Sequence, residues 1–320
     1  MVYINLNLTF DKFSTYTKMN NVKPESKILK VSLKNHRIDL IPDITYAQVS
    51  VHSHPNIDLK MDILKPRIGK LIPAVVFVTG GGFITSNRAS HFEIRERLAR
   101  EGYLVASVSY RFAPQSHLPK PILDVKSAIR YLRKNAMRFG IDTNRIGIMG
   151  TSAGGYLSCF AGVTGHSRLF DEGDNLNYSS KVACVVDLYG VTDLSRMADG
   201  FSRETMNAYN SPSACQALWL NGCTICGGVD ASVLDRMDEV RKYNPALYVD
   251  EHTPPFLLFH GTADTLVSPK ETEIMFEALR AHGIESERYL VEGAGHGGDY
   301  WVQNEVQDVI VKFLDKHLKN

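Results

Sequence analysis

A serine hydroxyl attacks an acyl carbon at neutral pH only when an imidazole takes its proton and a carboxylate orients that imidazole. Ser152 is the residue in this chain best set up for that role. It lies in Gly150-Thr-Ser-Ala-Gly-Gly155, between an apolar strand-like run at 145–149 and a helix-like stretch at 156–163. Gly-x-Ser-x-Gly in a strand–turn–helix setting makes a nucleophile elbow. The turn is sharp, so a side chain at Gly150 or Gly154 would strike the neighbouring strand or helix. The strained turn pushes the Ser152 hydroxyl outward, and the next backbone N–H, that of Ala153, points to the same place. As a bare pentapeptide the signal is modest, because its residues are common. The surroundings decide it.

In sheets of this kind the chain order is serine, acid, histidine. Of the 11 histidines, His36, His52, His54, His91 and His117 precede the serine. His166 is too close to it and reads as the end of the elbow helix, and His317 sits at the C-terminus. His260 closes a strand and reads as packed or backbone-bonded. His296 differs: it lies in Glu292-Gly-Ala-Gly-His-Gly-Gly298, where flanking glycines let a loop residue turn inward. For the acid, Asp264 in His260-Gly-Thr-Ala-Asp264 leaves the strand directly before the histidine loop. Asp187 and Asp193 are its rivals, and a turn or N-cap aspartate is the bland alternative for Asp264.

Acyl transfer also needs donors aimed at a developing oxyanion. Thr79-Gly-Gly-Gly-Phe83 follows an apolar strand, and its glycines let backbone N–H groups approach a ligand. Gly81, Gly82 and Ala153 are the expected oxyanion donors. A phosphate-binding loop is the competing reading, but GxGxxG spacing and a P-loop lysine are both missing.

These loops need a sheet to hold them. Continuous apolar runs at 72–78, 103–108, 182–188 and 255–260 read as parallel strands buried on both faces. Stretches 44–51 and 57–64 read as two strands joined by a loop at 52–56. The second alternates through Ile57, Leu59, Met61 and Ile63, which suits an antiparallel edge. Helical spacing appears at 92–100, at Ile122, Val125, Ile129 and Leu132 with an end near Gly140, at 274–281 and at 306–318. Strands alternating with helices predict a doubly wound α/β sheet with right-handed crossovers. Residues 1–40 read as a peripheral N-terminal segment, and 41–320 as the catalytic domain. Residues 191–253 break the alternation and read as a small cap insertion.

Composition narrows the partners. With 36 basic and 35 acidic residues the net charge is +1, which gives no reason to expect nucleic acid or an anionic membrane. No apolar run is long enough to span a bilayer, and the first residues lack the features of a signal peptide. The expectation is a cytoplasmic protein. Five cysteines argue against a disulfide framework. Cys159 and Cys184 read as small buried residues. Cys223 and Cys226 form a CxxC, read as structural thiols with a disulfide or metal role as the alternative.

Taken together the chain resembles the α/β-hydrolase superfamily, in its esterase/lipase branch. That branch includes carbohydrate-esterase-like, feruloyl-esterase-like and hormone-sensitive-lipase-like proteins. The resemblance runs from about residue 44 to 318. It is carried by Thr79-Gly-Gly-Gly-Phe83, Ser109-Tyr-Arg-Phe-Ala-Pro114, Asp124, Gly140-Ile-Asp-Thr-Asn-Arg145, the serine turn, Tyr189-Gly-Val-Thr-Asp193, Pro254-Pro-Phe256, His260-Gly-Thr-Ala-Asp264 and Gly293-Ala-Gly-His-Gly297. It implies a mostly parallel eight-stranded sheet flanked by helices, with Ser152, Asp264 and His296 as triad. It also implies structural roles for Tyr110, Arg111 and Asp124. Two positions depart from the family habit: Thr79 and Tyr156 stand where histidines are common. Neither removes a backbone donor.

The expected function is a serine carboxylic ester hydrolase that needs no cofactor or metal. Its expected substrates are short-acyl esters, such as acetyl or aromatic-acid esters of carbohydrates or small alcohols. Phe83, Tyr156, Tyr189, Trp219 and Trp301 are candidate substrate-binding residues, although core packing is the commoner use of aromatics. An arylformamidase-like amide hydrolase and a non-catalytic binding protein on the same fold are the alternatives. Oligomeric state stays open, a homodimer included.

Overall fold

The structure, a computed structural model, describes residues 26–52 and 54–319, and the compact unit treated below starts at His36. Residues 1–25 of the expected peripheral segment lie outside the described residues.

Eight strands form one sheet in the order β1-β2-β4-β3-β5-β6-β7-β8. They are β1 (Ile38–Val51), β2 (His54–Pro66), β3 (Ile72–Val78), β4 (Leu104–Val108), β5 (Ile141–Thr151), β6 (Val185–Leu188), β7 (Phe256–Gly261) and β8 (Ser286–Val291). Pairing of β1 with β2 and of β2 with β4 is antiparallel; all other pairs are parallel. The apolar runs behave as expected of two-faced strands, and every residue of β3 is buried. The first two strands depart from expectation. They are longer than the alternating stretches, and their pairing runs on until Val51 lies opposite His54. The alternating strand β2 is also interior to the sheet; β1 is the edge. The added pairing lies at Ile38 to Ile41 of β1 against Ile63 to Pro66 of β2, while within the alternating stretches polar side chains also pair, Gln48 donating to Asp58 at 3.0 Å.

Helices alternate with the strands: α1 (Phe92–Arg100), α2 (Lys120–Lys134), the one-turn α3 (Ala136–Phe139), α4 (Ala153–Thr164), α5 (Arg203–Tyr209), α6 (Cys215–Asn221), α7 (Met237–Lys242), α8 (Lys270–Ala281) and α9 (Asn304–Leu318). They cover both faces. On one, Ala74, Val76 and Val78 of β3 share a core with Ile122 and Ile129 of α2, Leu157 and Phe160 of α4 and Met275 of α8. On the other, Val75 and Phe77 pack with Leu98 of α1 and Ile310 and Leu314 of α9. The period of two along β3 thus feeds two separate cores. Residues 191–253 fold as α5, α6, α7 and short 3₁₀ turns between β6 and β7. Within this stretch a 3₁₀ turn, Leu234–Arg236, leads directly into α7.

Buried polar ties lock the layers. Arg111 grips Asp124 through both Nε and Nη2 (2.9 and 2.6 Å), and its backbone N–H also donates to Asp124 (2.8 Å). Burial raises the Asp124 carboxyl, while the Arg111 hydrogen bonds and charge pull it back down. The Tyr110 hydroxyl donates to the Thr79 carbonyl (2.8 Å). These are the structural roles that the resemblance implied.

Candidate active site

Parallel strands in register bring their C-terminal ends level. Val78 of β3 lies opposite Gly150 of β5, Thr151 opposite Leu188 of β6, and Gly261 of β7 opposite Val291 of β8. The loops that leave these ends carry the expected triad and the glycine loop: the glycine loop after β3, Ser152 after β5, Asp264 after β7 and His296 after β8. Ligand sites of open parallel sheets form at this edge.

Ser152 occupies the turn between β5 and α4 with φ 52° and ψ −122°. A non-glycine residue there stores strain of about 1–3 kcal/mol. The surroundings leave no alternative path. A Cβ on Gly154 would run into the Val78 carbonyl, and one on Gly150 into the Gly154 carbonyl. The Ser152 N–H donates to Leu188 O (2.9 Å), and its carbonyl accepts from Tyr156 N–H (3.1 Å). With the backbone tied, the hydroxyl is free to face the His loop.

His296 Nε2 lies 2.8 Å from Ser152 Oγ, and its Nδ1 lies 2.7 Å from Asp264 Oδ2. The imidazole thus bridges hydroxyl and carboxylate, as general-base activation requires. The other oxygen of Asp264 accepts from the N–H groups of Leu266 and Val267, both at 2.9 Å. Burial alone would raise this carboxyl, but hydrogen bonds from His260 and His296, and the His296 charge, hold it well below the usual carboxylate range. Asp264 is therefore ionised throughout neutral pH.

The rival acids are spent elsewhere. Asp193 accepts from Ser195 (2.6 Å) and Asn244 (3.2 Å). Asp187 is fully buried beneath α4, where a Cβ on Gly155 or Gly190 would strike it. Burial pushes its carboxyl up to about 8, against the pull of the Gly190 N–H and the Cys159 thiol.

The glycine loop is held against the elbow. Gly80 N–H donates to Thr151 Oγ1 (2.9 Å), and a Cβ on Gly80 would come within 2.9 Å of Ser152 Cβ. Ala113 N–H donates to Phe83 O (2.9 Å). Among the described residues, neither Gly81 nor Gly82 spends its N–H on a hydrogen bond. Ala153 opens α4, so its N–H has no partner within the helix. With Thr79 and Tyr156 in place of histidines, the bracing comes from Tyr110 and Thr151, while Tyr156 donates to Tyr243 O (2.8 Å).

All five candidate substrate-binding aromatics are buried, none more than 4 % exposed. Phe83 packs on Trp219 (ring centroids 4.9 Å apart) and on Tyr156 (6.1 Å). Tyr189 sits edge-on behind the His296 ring at 4.8 Å and contacts Trp301 at 4.6 Å. Trp301 Nε1 donates to Gly295 O (3.1 Å), pinning the residue before His296. In this structure they brace the site from within and offer no open wall.

Other expectations changed. His166 ends no helix; it pairs with Asp250 (2.9 Å) beyond the end of α4. His317 belongs to the last turn of α9, half-buried against Phe313 and Glu285. His260 is backbone-bonded as expected, to Val267 O (3.0 Å), but the same nitrogen lies 3.1 Å from Asp264 Oδ2. That contact escaped the sequence reading, although the four-residue spacing from Asp264 was a usable signal. Cys159 and Cys184 are buried, and all five cysteines are free thiols. Among the described residues no cluster could hold a metal ion, and no helix is long and apolar enough to cross a membrane. A cleft of about 650 Å³ lies at the opposite, N-terminal ends of the central strands, lined by Thr143, Val182 and Pro255 among others, and includes none of the site residues.

Comparison with known proteins agrees with this architecture. The BD-FAE family model matches residues 61–279, most of the chain. The chain belongs to the BD-FAE family. It is an α/β-hydrolase of the esterase/lipase branch. Among curated relatives of this BD-FAE member, Esterase LipC of Mycobacterium tuberculosis is 33 % identical over 233 residues, 72 % of this chain and 54 % of its own. Isoprenylcysteine alpha-carbonyl methylesterase ICME of Arabidopsis thaliana is 26 % identical over 71 % of this chain and 50 % of its own. The chain thus spans about half the length of these relatives. Among solved structures, a truncated carbohydrate esterase from gut microbiota superposes with a TM-score of 0.75 at 26 % identity, covering 90 % of this chain and 99 % of that one. Esterase Est2 of Thermogutta terrifontis shares the fold, with a TM-score of 0.65 at 24 % identity, covering 88 % of this chain and 92 % of that one.

Proposed function

We propose that this BD-FAE protein is a serine carboxylic ester hydrolase with Ser152 as nucleophile, His296 as general base and Asp264 as the orienting acid. The observation that carries the proposal is the continuous hydrogen-bonded line from Ser152 Oγ through His296 to Asp264, at 2.8 and 2.7 Å. His296 Nε2 takes the hydroxyl proton as Oγ adds to the ester carbonyl. Asp264 holds Nδ1–H and stabilises the imidazolium. The N–H groups of Gly81, Gly82 and Ala153 receive the oxyanion. His296 then returns the proton to the leaving alkoxide, which departs as alcohol. Water, deprotonated by the same imidazole, adds to the acyl-enzyme; collapse of that second tetrahedral intermediate frees the acid and gives the proton back to Ser152. Each step uses this chain's own side chains and backbone.

The proposed substrates are small esters with short acyl groups, acetyl above all, on carbohydrates or small alcohols. Two observations support this. The aromatics around the site are packed against each other, which leaves little depth for a long acyl chain. A similar solved structure is that of a carbohydrate esterase. A cytoplasmic location goes with five free thiols; cell fractionation checks it.

The test is a series of p-nitrophenyl esters from acetate to octanoate, acetylated xylose and an aryl formamide, with Ser152→Ala as control. Turnover on acetate that falls by about 10⁴-fold or more in the variant is the expected result. Equal turnover in Ser152→Ala overturns the reading. A clear preference for the formamide makes the chain an amide hydrolase.

A further inference from the structure

His260 has no step in the proposed mechanism, yet it is fully buried and bonded to the acid. Its Nε2 faces two acceptors, Asp264 Oδ2 at 3.1 Å and Val267 O at 3.0 Å. A carbonyl accepts only, so Nε2 carries a proton. Its Nδ1 faces the Thr272 hydroxyl at 3.2 Å, and that hydroxyl accepts from Arg288 Nε at 3.2 Å. Asp264 Oδ2 is also the oxygen that His296 uses, at 2.7 Å. Two imidazoles therefore share one carboxylate oxygen.

From this geometry we infer that His260 is a positioning residue: through the shared oxygen of Asp264 it fixes the carboxylate rotamer and moderates the pull of Asp264 on His296. The inference rests on the triad reading above. A hydrogen bond donated to Oδ2 withdraws negative charge from the oxygen that stabilises the His296 cation. Removing that donor is expected to strengthen the pull of Asp264 on His296 Nδ1–H. The chain of contacts then runs from Arg288 on β8 through Thr272 on α8, His260 on β7 and Asp264 to His296 and Ser152.

The other groups facing this line are few among the described residues. Tyr189 lies edge-on to His296, and its hydroxyl is 3.4 Å from His91 Nε2. Tyr209 of α5 donates to Leu266 O (2.6 Å), within the acid loop. Arg288 touches Thr272 and Pro269.

The experiment measures two quantities in the full chain for His260→Phe and Thr272→Val. One is the pH dependence of kcat/KM on p-nitrophenyl acetate. The other is the proton NMR signal of His296 Nδ1–H in substrate-free protein. His260→Phe keeps a ring of similar size and removes the donor. The expected result is an acid-side half-maximum moved up by about 0.5–1 pH unit, with KM changed less than about twofold and the Nδ1 proton moved downfield. Thr272→Val is expected to act in the same direction and less, because an imidazole that loses its Nδ1 partner becomes a weaker Nε2 donor. An unmoved acid limb and an unmoved Nδ1 signal overturn the inference and leave His260 as packing. Should His260→Phe not fold, Thr272→Val decides by the same two readings. A wild type inert on every ester overturns the proposed function alone, since the Nδ1 signal still decides the His260 link.

Discussion

Asp187 lies on β6, next to the strand that leads into Ser152, and is the rival for the acid role. What separates it from Asp264 is hydration and partners. Asp264 keeps its charge because N–H groups and imidazoles surround it. Asp187 is buried with few donors, and its carboxyl is pushed up to about 8. The sign of the linkage follows. In the range from about 4 to 8 the folded protein holds a proton on Asp187 that the unfolded chain has released. Stability from this group is present at low pH and is lost as pH rises through 8. Asp187→Asn removes that slope. The expected outcome is a Tm drop between pH 5 and pH 8 that is smaller than in wild type, by the equivalent of about 3–4 kcal/mol. Thermal melts across that range check it, with Glu271, likewise pushed up to about 8 by burial, contributing a background slope of the same sign.

At the scale of elements, the elbow and the glycine loop make different demands on their glycines. Gly154 faces the Val78 carbonyl with no room for a Cβ. Gly154→Ala must move α4 off β3, and the expected cost is about 3 kcal/mol or more. Gly82 has φ +58° and open space where a Cβ would stand. Gly82→Ala pays only for the left-handed backbone, about 1 kcal/mol. If Gly82 N–H serves the oxyanion, the small shift of that peptide shows as a kcat loss of about tenfold or more with a nearly normal Tm. Melting curves and kinetics on the two variants separate packing from catalysis.

For the molecule as a whole, the connection between layers matters more than any one contact. Arg111, in the segment that follows β4, joins it to α2 through buried Asp124. Removing one partner leaves the other charge buried. Asp124→Ala is therefore expected to cost about 3–5 kcal/mol, while Arg111→Ala together with Asp124→Ala costs less than the sum of the two single changes. Urea unfolding of the three variants reads the coupling. The 191–253 stretch is tied in at several points. Trp219 stacks on Phe83 of the glycine loop, Tyr209 holds Leu266 beside the acid, and Tyr243 accepts from Tyr156 of the elbow helix. Trp219→Ala is expected to destabilise by about 3–5 kcal/mol and to lower activity through Phe83, checked by melts and kcat on acetate.

Much of this was legible in the sequence because it depends on local chemistry. Unbroken apolar runs predicted β3 and β7, since a strand buried on both faces has no polar position to spare. Glycines around Ser152 predicted the elbow, since only small residues fit there. The loops carrying Asp264 and His296 followed from chain order and from glycine flanks. Contacts set by packing were not legible. Nothing local told that β2 would sit inside the sheet or that the strands would reach beyond their alternating cores. The same holds for the aromatics: type and position suggested a pocket, whereas burial turned Tyr189 and Trp301 toward the His296 loop. The sequence by itself singled out the groups proposed to carry chemistry, through residue type and spacing. Tertiary structure alone decided which acid is ionised and that His260 shares its oxygen with His296. Charge and hydrogen-bond competition depend on distances of a few ångströms between strands far apart in the chain.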